Sequence, residues 1–360
     1  MMNNKLWNLL ETEGLVSGDL PALGEFDSPW SVKVILAFSG WLAAIFILSF
    51  LSVIFSHLYQ NTLALIFFGV SFIAIAYFLL SKKKDHEFIE HLALAFSVAG
   101  QALLTWAIVE SSDITLIWFL VAVMHLFLIL IMPNYVHRLV SAFITTLCFA
   151  AAIYSISYSS TALLMYSALL MLCTGLLWLN EFKYQKSLAA VQAIGYGLVT
   201  ALVIIKGSNV FININLWGLN RSNPENEWIQ PWMGEVLLGA VALYVVCRLM
   251  QKSHVQTFSN LWLLTIAGAL LLAFLSINAN GLIVGVMIML LGFSASNRVL
   301  MGLAVMSLLF YISSYYYLLE ISLLNKSLTL LVLGLVLILG RWFLLKLPPE
   351  TSKDSARSPQ

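Results

Sequence analysis

Charge is what this sequence has least of. Lys, Arg, Asp and Glu make up 10% of its 360 residues and 61% are hydrophobic, against roughly 25% charged in an ordinary soluble domain. A globule of that composition cannot cover itself with polar groups, so lipid must cover it. Charge of one sign is lacking too: a formal net charge of +1 gives no basis for a nucleic acid or other polyanionic partner. Cysteines are few, and Cys148, Cys173 and Cys247 all fall inside apolar runs. They read as small buried hydrophobes, with no disulfide and no metal site. The sequence contains no CxxC, HExxH or GxxxxGK[ST] pattern, which removes the common metal-binding and ATP-binding signatures. A cleavable signal is not expected either. The first 30 residues set Glu11, Glu13, Asp19, Glu25 and Asp27 against Lys5, where a signal peptide needs a basic start and an early apolar stretch. No catalytic residue, cofactor or metal ligand is predicted.

What is present is a series of long apolar runs. A membrane-spanning helix needs about 20 mostly apolar residues. Between Lys33 and Lys82 lie 48 residues without a charge; one helix of that length would rise ~72 Å, more than twice the ~30 Å hydrocarbon core. Two spans are required, and the polar run His57 to Asn61 supplies the turn. The stretches 139–180 and 253–297 divide in the same way, at SYSST (Ser157 to Thr161) and at Asn278 to Asn280. The predicted helices cover about 34–56, 61–80, 92–109, 114–132, 139–157, 161–179, 188–205, 232–250, 257–277, 281–295, 299–318 and 327–345. Open sheet edges cannot face lipid, so these runs are helical. The predicted fold is all-α, a polytopic transmembrane bundle of about twelve spans. Ser28 followed by Pro29 gives the first helix a capping residue and a first-turn proline.

Basic residues orient the chain. Lys5, Lys33, Lys82 to Lys84, Arg138, Lys183, Lys186, Arg248, Lys252, Arg298, Arg341, Lys346, Lys353 and Arg357 fall in one alternate set of loops and tails, 15 of the 18 basic residues. The other set holds Lys206, Arg221 and Lys326. The positive-inside rule places the rich set, and both termini, in the cytoplasm. The chain then divides into a cytoplasmic N-terminal tail (1–28), a transmembrane domain (29–346) with one long outer loop (206–231), and a disordered cytoplasmic tail (347–360).

The stretches SPWSVKVILAFSGWLAAIF (Ser28 to Phe46) and LALAFSVAGQALLTWAIVE (Leu92 to Glu110) resemble a family of bacterial multi-pass membrane proteins catalogued as a domain of unknown function, of the 4401 type. The resemblance covers roughly residues 28–345. It implies a bacterial inner-membrane protein of many spans with no assigned activity. It also implies a partner, a small membrane-anchored envelope protein bearing a GDYXXLXY motif. It supplies no catalytic residues.

Polar groups at bilayer depth are the usual pointers to function. Gln101 and His125 lie near the middles of consecutive predicted spans. They form either an interhelical hydrogen bond worth ~0.6 kcal/mol or a substrate or proton site. Glu235 stands in the first turns of its span, as a headgroup-reaching carboxylate favoured by the helix dipole or as a coupling carboxylate. Gln192 reads as packing glue, and Gly281 with Gly285 as a GxxxG contact. The run DHEFIEH (Asp85 to His91) reads as a solvated connector. In the outer loop Trp217, Arg221 and Trp228 are candidates for recognition of a partner.

Three functions fit this pattern. The first is a non-enzymatic scaffold or accessory subunit that engages an envelope partner. The second is a transporter or flippase with a polar cavity between helices. The third is an enzyme acting on lipid-linked substrates, and it ranks last because no cluster of acid, base or nucleophile stands at an interface. A packed bundle favours the first reading and a wet central cavity the second. The sequence does not set the oligomeric state.

Overall fold

The computed structural model describes residues 11–13, scattered positions between 35 and 53, then 61–82, 87–157, 160–213, 231–252, 259–278, 281–318 and scattered positions between 323 and 342. The predicted spans 34–56 and 327–345, the tails and loop residues Trp217, Arg221 and Trp228 lie largely or wholly outside the described residues. The described residues form ten α-helices: α1 (Thr62–Lys82), α2 (Glu87–Ser111), α3 (Ile114–Ile131), α4 (Tyr135–Ser157), α5 (Ser160–Leu179), α6 (Leu188–Asn213), α7 (Pro231–Lys252), α8 (Asn260–Asn278), α9 (Leu282–Ser294) and α10 (Arg298–Leu318). A short 3₁₀ helix (Glu181–Ser187) links α5 to α6. These ten match the second to eleventh predicted spans in order.

Short polar side chains start several of these helices by accepting bonds from otherwise unpaired backbone N–H groups. Asn61 accepts from Leu63 and Ala64, Asp113 from Leu116 and Asn134 from His137. Ser259 accepts from Trp262, and Asn297 from Val299 and Leu300. Three predicted boundaries need correction. α2 begins at Glu87, so the end of the DHEFIEH run is helical. α4 begins at Tyr135 and not at 139, because the Asn134 cap outweighs the charge on Arg138. α6 runs on to Asn213, where the prediction stopped at 205 on meeting Lys206.

Seven helices, α1 to α7, are long and apolar enough to cross a membrane. α8, α9 and α10 carry shorter apolar stretches. Large apolar side chains point outward, among them Phe67, Phe78, Phe127, Leu130, Phe274 and Met306. A soluble protein rarely exposes so many large apolar side chains; hydrocarbon does accept them.

The chain divides into two compact units, 1–104 and 105–360. In the first, α1 and the start of α2 meet where both lack a side chain. A Cβ on Gly100 would lie 2.6 Å from the Gly69 carbonyl oxygen, so glycine allows the backbones to touch. Phe72 and Phe96 add an edge-to-face contact at 5.7 Å. In the second unit, α3 packs on α4, α4 on α6, α6 on α5, α5 on α7 and α7 on α8. The thirteen-residue α9 contacts α5, α6, α7, α8 and α10. At ~20 Å it is shorter than the hydrocarbon core. Its buried face (Ile283, Val284, Met287, Ile288, Leu291) joins Val199, Leu202, Leu238, Val245 and Trp178 in one apolar core. Gly281, with φ of 93°, turns the chain into α9. The Tyr311 ring packs where its Cβ would be, so both backbone freedom and space demand glycine there.

Candidate functional site

Two buried polar clusters stand out in the second unit. The first joins α6 to α7. Lys206 Nζ meets Glu235 Oε1 at 2.5 Å, with 1% and 5% of the two side chains exposed. The elements around this pair are tightly fitted. Gly234 rests against Leu164 of α5, and Gly207 against the Phe310 ring of α10. One turn before Lys206, the Val203 carbonyl accepts the Tyr311 hydroxyl at 2.9 Å. Glu235 is buried and bound to a lysine that sequence reasoning assigned to a loop. Its second oxygen, Oε2, has no hydrogen-bond partner. An ion pair removed from water in this way is net neutral, and each charge is tolerable only because of the other. The legible signal was the apolar run Val210, Phe211 and Ile212 beyond Lys206, which continues the helix past the charge.

The second cluster lies between α3 and α4. Val121 and Ala122 of α3 pack on Cys148 of α4, and Phe119 stacks edge-on against Phe149 at 6.2 Å. These contacts fix an antiparallel register. Four buried α4 residues, His137, Ser141, Thr145 and Cys148, recur at spacings of four, four and three and so share one helix face. His137 Nδ1 and Ser141 Oγ are 3.2 Å apart. His125 is buried on α3, within electrostatic reach of His137. Its Nδ1 and the Thr145 hydroxyl have no hydrogen-bond partner. The predicted helix starts at 139, beyond Arg138, and so leaves His137 outside it; the Asn134 cap is the available signal.

Gln101 donates to Ser97 of its own helix at 3.0 Å. It belongs to the first unit and His125 to the second. Gln192 hydrogen-bonds the buried Glu181 carboxylate in the connection between α5 and α6. Burial raises the Glu181 carboxyl above its ordinary range, against the opposing pull of Gln192 and the Lys252 ammonium. Gly281 and Gly285 both face α10, at Tyr311 and Leu308. Nearby, Tyr196 of α6 donates to Asn297 at 2.8 Å and stacks on Trp178 of α5 at 5.1 Å. Among the described residues, no group of three His, Cys, Asp or Glu side chains is placed to hold a metal ion.

Long apolar helices with outward-facing apolar side chains and internally paired charge mark a membrane-embedded helical protein. The chain belongs to the family described as Domain of unknown function (DUF4401), whose model matches residues 29–347. Comparison with curated proteins and with solved structures returns no match.

Proposed function

We propose that this chain is a twelve-span protein of a bacterial inner membrane, with both termini cytoplasmic, that acts as a non-enzymatic scaffold or accessory subunit. The observation that carries the reading is the filled centre of the second unit. Val199, Leu238 and Val284, from α6, α7 and α9, are each 0% exposed, in the place where a transport path would need polar, wettable walls. The outer segment bearing Trp217, Arg221 and Trp228 is the element offered to an envelope partner. The twelve-span count rests on ten described helices falling in the predicted order and on the alternation of basic loops.

A transporter or flippase is the second reading. The buried pair of Lys206 and Glu235 favours it, because ionisable groups inside a membrane bundle often mark substrate or ion pathways. Single cysteines at Val199, Leu238 and Val284, in a background lacking Cys148, Cys173 and Cys247, separate the two. In sealed vesicles of either orientation, a scaffold leaves all three unreactive toward a small water-soluble thiol reagent. Reaction at these core positions would replace the scaffold reading with the transporter one.

A further inference from the structure

We infer that the face of α4 bearing His137, Ser141 and Thr145 forms, with His125 of α3, a hydrated seam that binds water and exchanges its protons with bulk. The seam enters from the 132–134 end of the helix pair. His137 lies three residues beyond Asn134. Ser141 and Thr145 follow at one-turn steps, so the face runs ~12 Å from His137 to Thr145. Val121, Ala122 and Cys148 then close it with apolar side chains. The register set by those three residues brings His125, one turn along α3, level with the Ser141 and Thr145 turn of α4.

Hydrogen-bond accounting identifies the ligand. His125 Nδ1 and Thr145 Oγ1 are both buried and lack partners, and a buried polar group left unpaired costs about 1–3 kcal/mol. Thr146, the next residue, shows the usual escape: its hydroxyl donates to the Ala142 carbonyl at 2.8 Å. Thr145 does not use it. A water between Thr145 and His125 gains two or more partners, which is what a buried water needs. Charge disfavours a hydrated metal cation. Across the sequence from Ile114 to Ser157 the only charged residue is Arg138, so neither α3 nor α4 supplies a carboxylate to offset added positive charge. The ligand class is neutral water, hydrogen-bonded in line with the His137 and Ser141 contact. A proton entering on one side of that line releases another at the far side, so His125 exchanges its ring proton with solvent while remaining buried.

The test uses the full chain with ¹⁵N-labelled histidine in lipid nanodiscs, reading exchange of imidazole N–H protons with water by NMR. Substitution of His125→Gln and His137→Gln assigns the signals. The wild-type His125 ring proton is expected to exchange with water. Thr145→Val and Ser141→Ala, which delete one hydroxyl each, are expected to slow that exchange by about tenfold, the loss of one hydrogen-bonded link. Thr146→Val, off the line, leaves it unchanged. A wild-type His125 that does not exchange overturns the proposal whatever the variants do. So does exchange unaffected by Ser141→Ala and Thr145→Val, since water would then arrive by another route. The measurement does not depend on whether the protein is a scaffold or a transporter.

Discussion

Lys206→Met keeps much of the lysine's length and removes its charge, leaving Glu235 as an ionised group in the interior of the bundle. The side chains are 1% and 5% exposed and their charged atoms 2.5 Å apart, so neither solvent nor salt can take over the lysine's role. Breaking a buried pair from one side costs about 3–5 kcal/mol, whereas replacing both partners by apolar groups of similar volume is often neutral or stabilising. The Glu235 Oε2 atom already lacks a hydrogen-bond partner, which places the single variant toward the upper end of that range. Lys206→Met is therefore expected to lower the folded-to-unfolded ratio by about three orders of magnitude, at roughly tenfold per 1.4 kcal/mol. Adding Glu235→Leu should recover most of the loss. Reversible unfolding in mixed micelles, with all variants at matched lipid content, gives the numbers. Lys206→Met within ~1 kcal/mol of wild type, or a double variant as unstable as the two singles summed, would refute the assignment of a mutually dependent buried pair.

Three further outcomes are expected. Gly197→Ala puts a Cβ 2.6 Å from the Leu139 carbonyl oxygen, so α4 and α6 must separate. A loss of about 1–3 kcal/mol should appear in the same unfolding assay, and an unchanged midpoint would show that the contact is loose. For orientation, single cysteines at Lys83, Lys186 and Lys252 should resist an impermeant thiol reagent added outside intact cells, while cysteines at Asn209, Asn223 and Asn280 react; outside labelling of any of the first three reverses that loop. Replacing residues 214–227, which follow the end of α6, by a Gly/Ser linker should leave insertion and abundance normal but abolish association with an envelope partner. Retention of that association would remove the loop from recognition.

The helices were legible because the hydrocarbon core sets a length. Runs free of charge for about 20 residues leave little choice of element, and polar interruptions such as SYSST mark the break between α4 at Ser157 and α5 at Ser160. The candidate sites were less legible, for one reason repeated at several positions. Sequence reasoning treats a charge as the end of a span, because an isolated charge cannot enter lipid. Lys206 and Arg138 both broke that rule. Lys206 continues inside α6 because Glu235, 29 positions later, neutralises it, and no local pattern reports a partner that far away. Arg138 lies in the first turn of α4, and that displaced the predicted helix start beyond His137. Buried Glu181 is not legible because the connection between α5 and α6 reads as polar; the groups that act on its carboxyl, Gln192 and Lys252, come from two other helices.

The pairing of Lys206 also changes the reasoning about orientation. Basic residues bias topology when their charge stands in or beside the headgroups. Lys206 is buried against a carboxylate, so it adds no positive field to the outer face. The sparse set of loops then retains only Arg221 and Lys326, against fifteen basic residues in the rich set. The asymmetry behind the proposed cytoplasmic placement of both termini is thus steeper than the residue count suggests. The same pair bears on the outer segment. With α6 ending at Asn213 and α7 beginning at Pro231, residues 214–230 join helices linked by one ion pair, between Lys206, two turns before one end, and Glu235, one turn after the other. That span still exceeds the ~2–8 residues that usually link neighbouring helices. The ion pair bridges α6 and α7, but each packs mainly on other helices, α6 on α4 and α5 and α7 on α5 and α8. Engagement of a partner by the tryptophans of this loop, rather than anchoring of a short interfacial helix, is the proposal that the loop replacement tests.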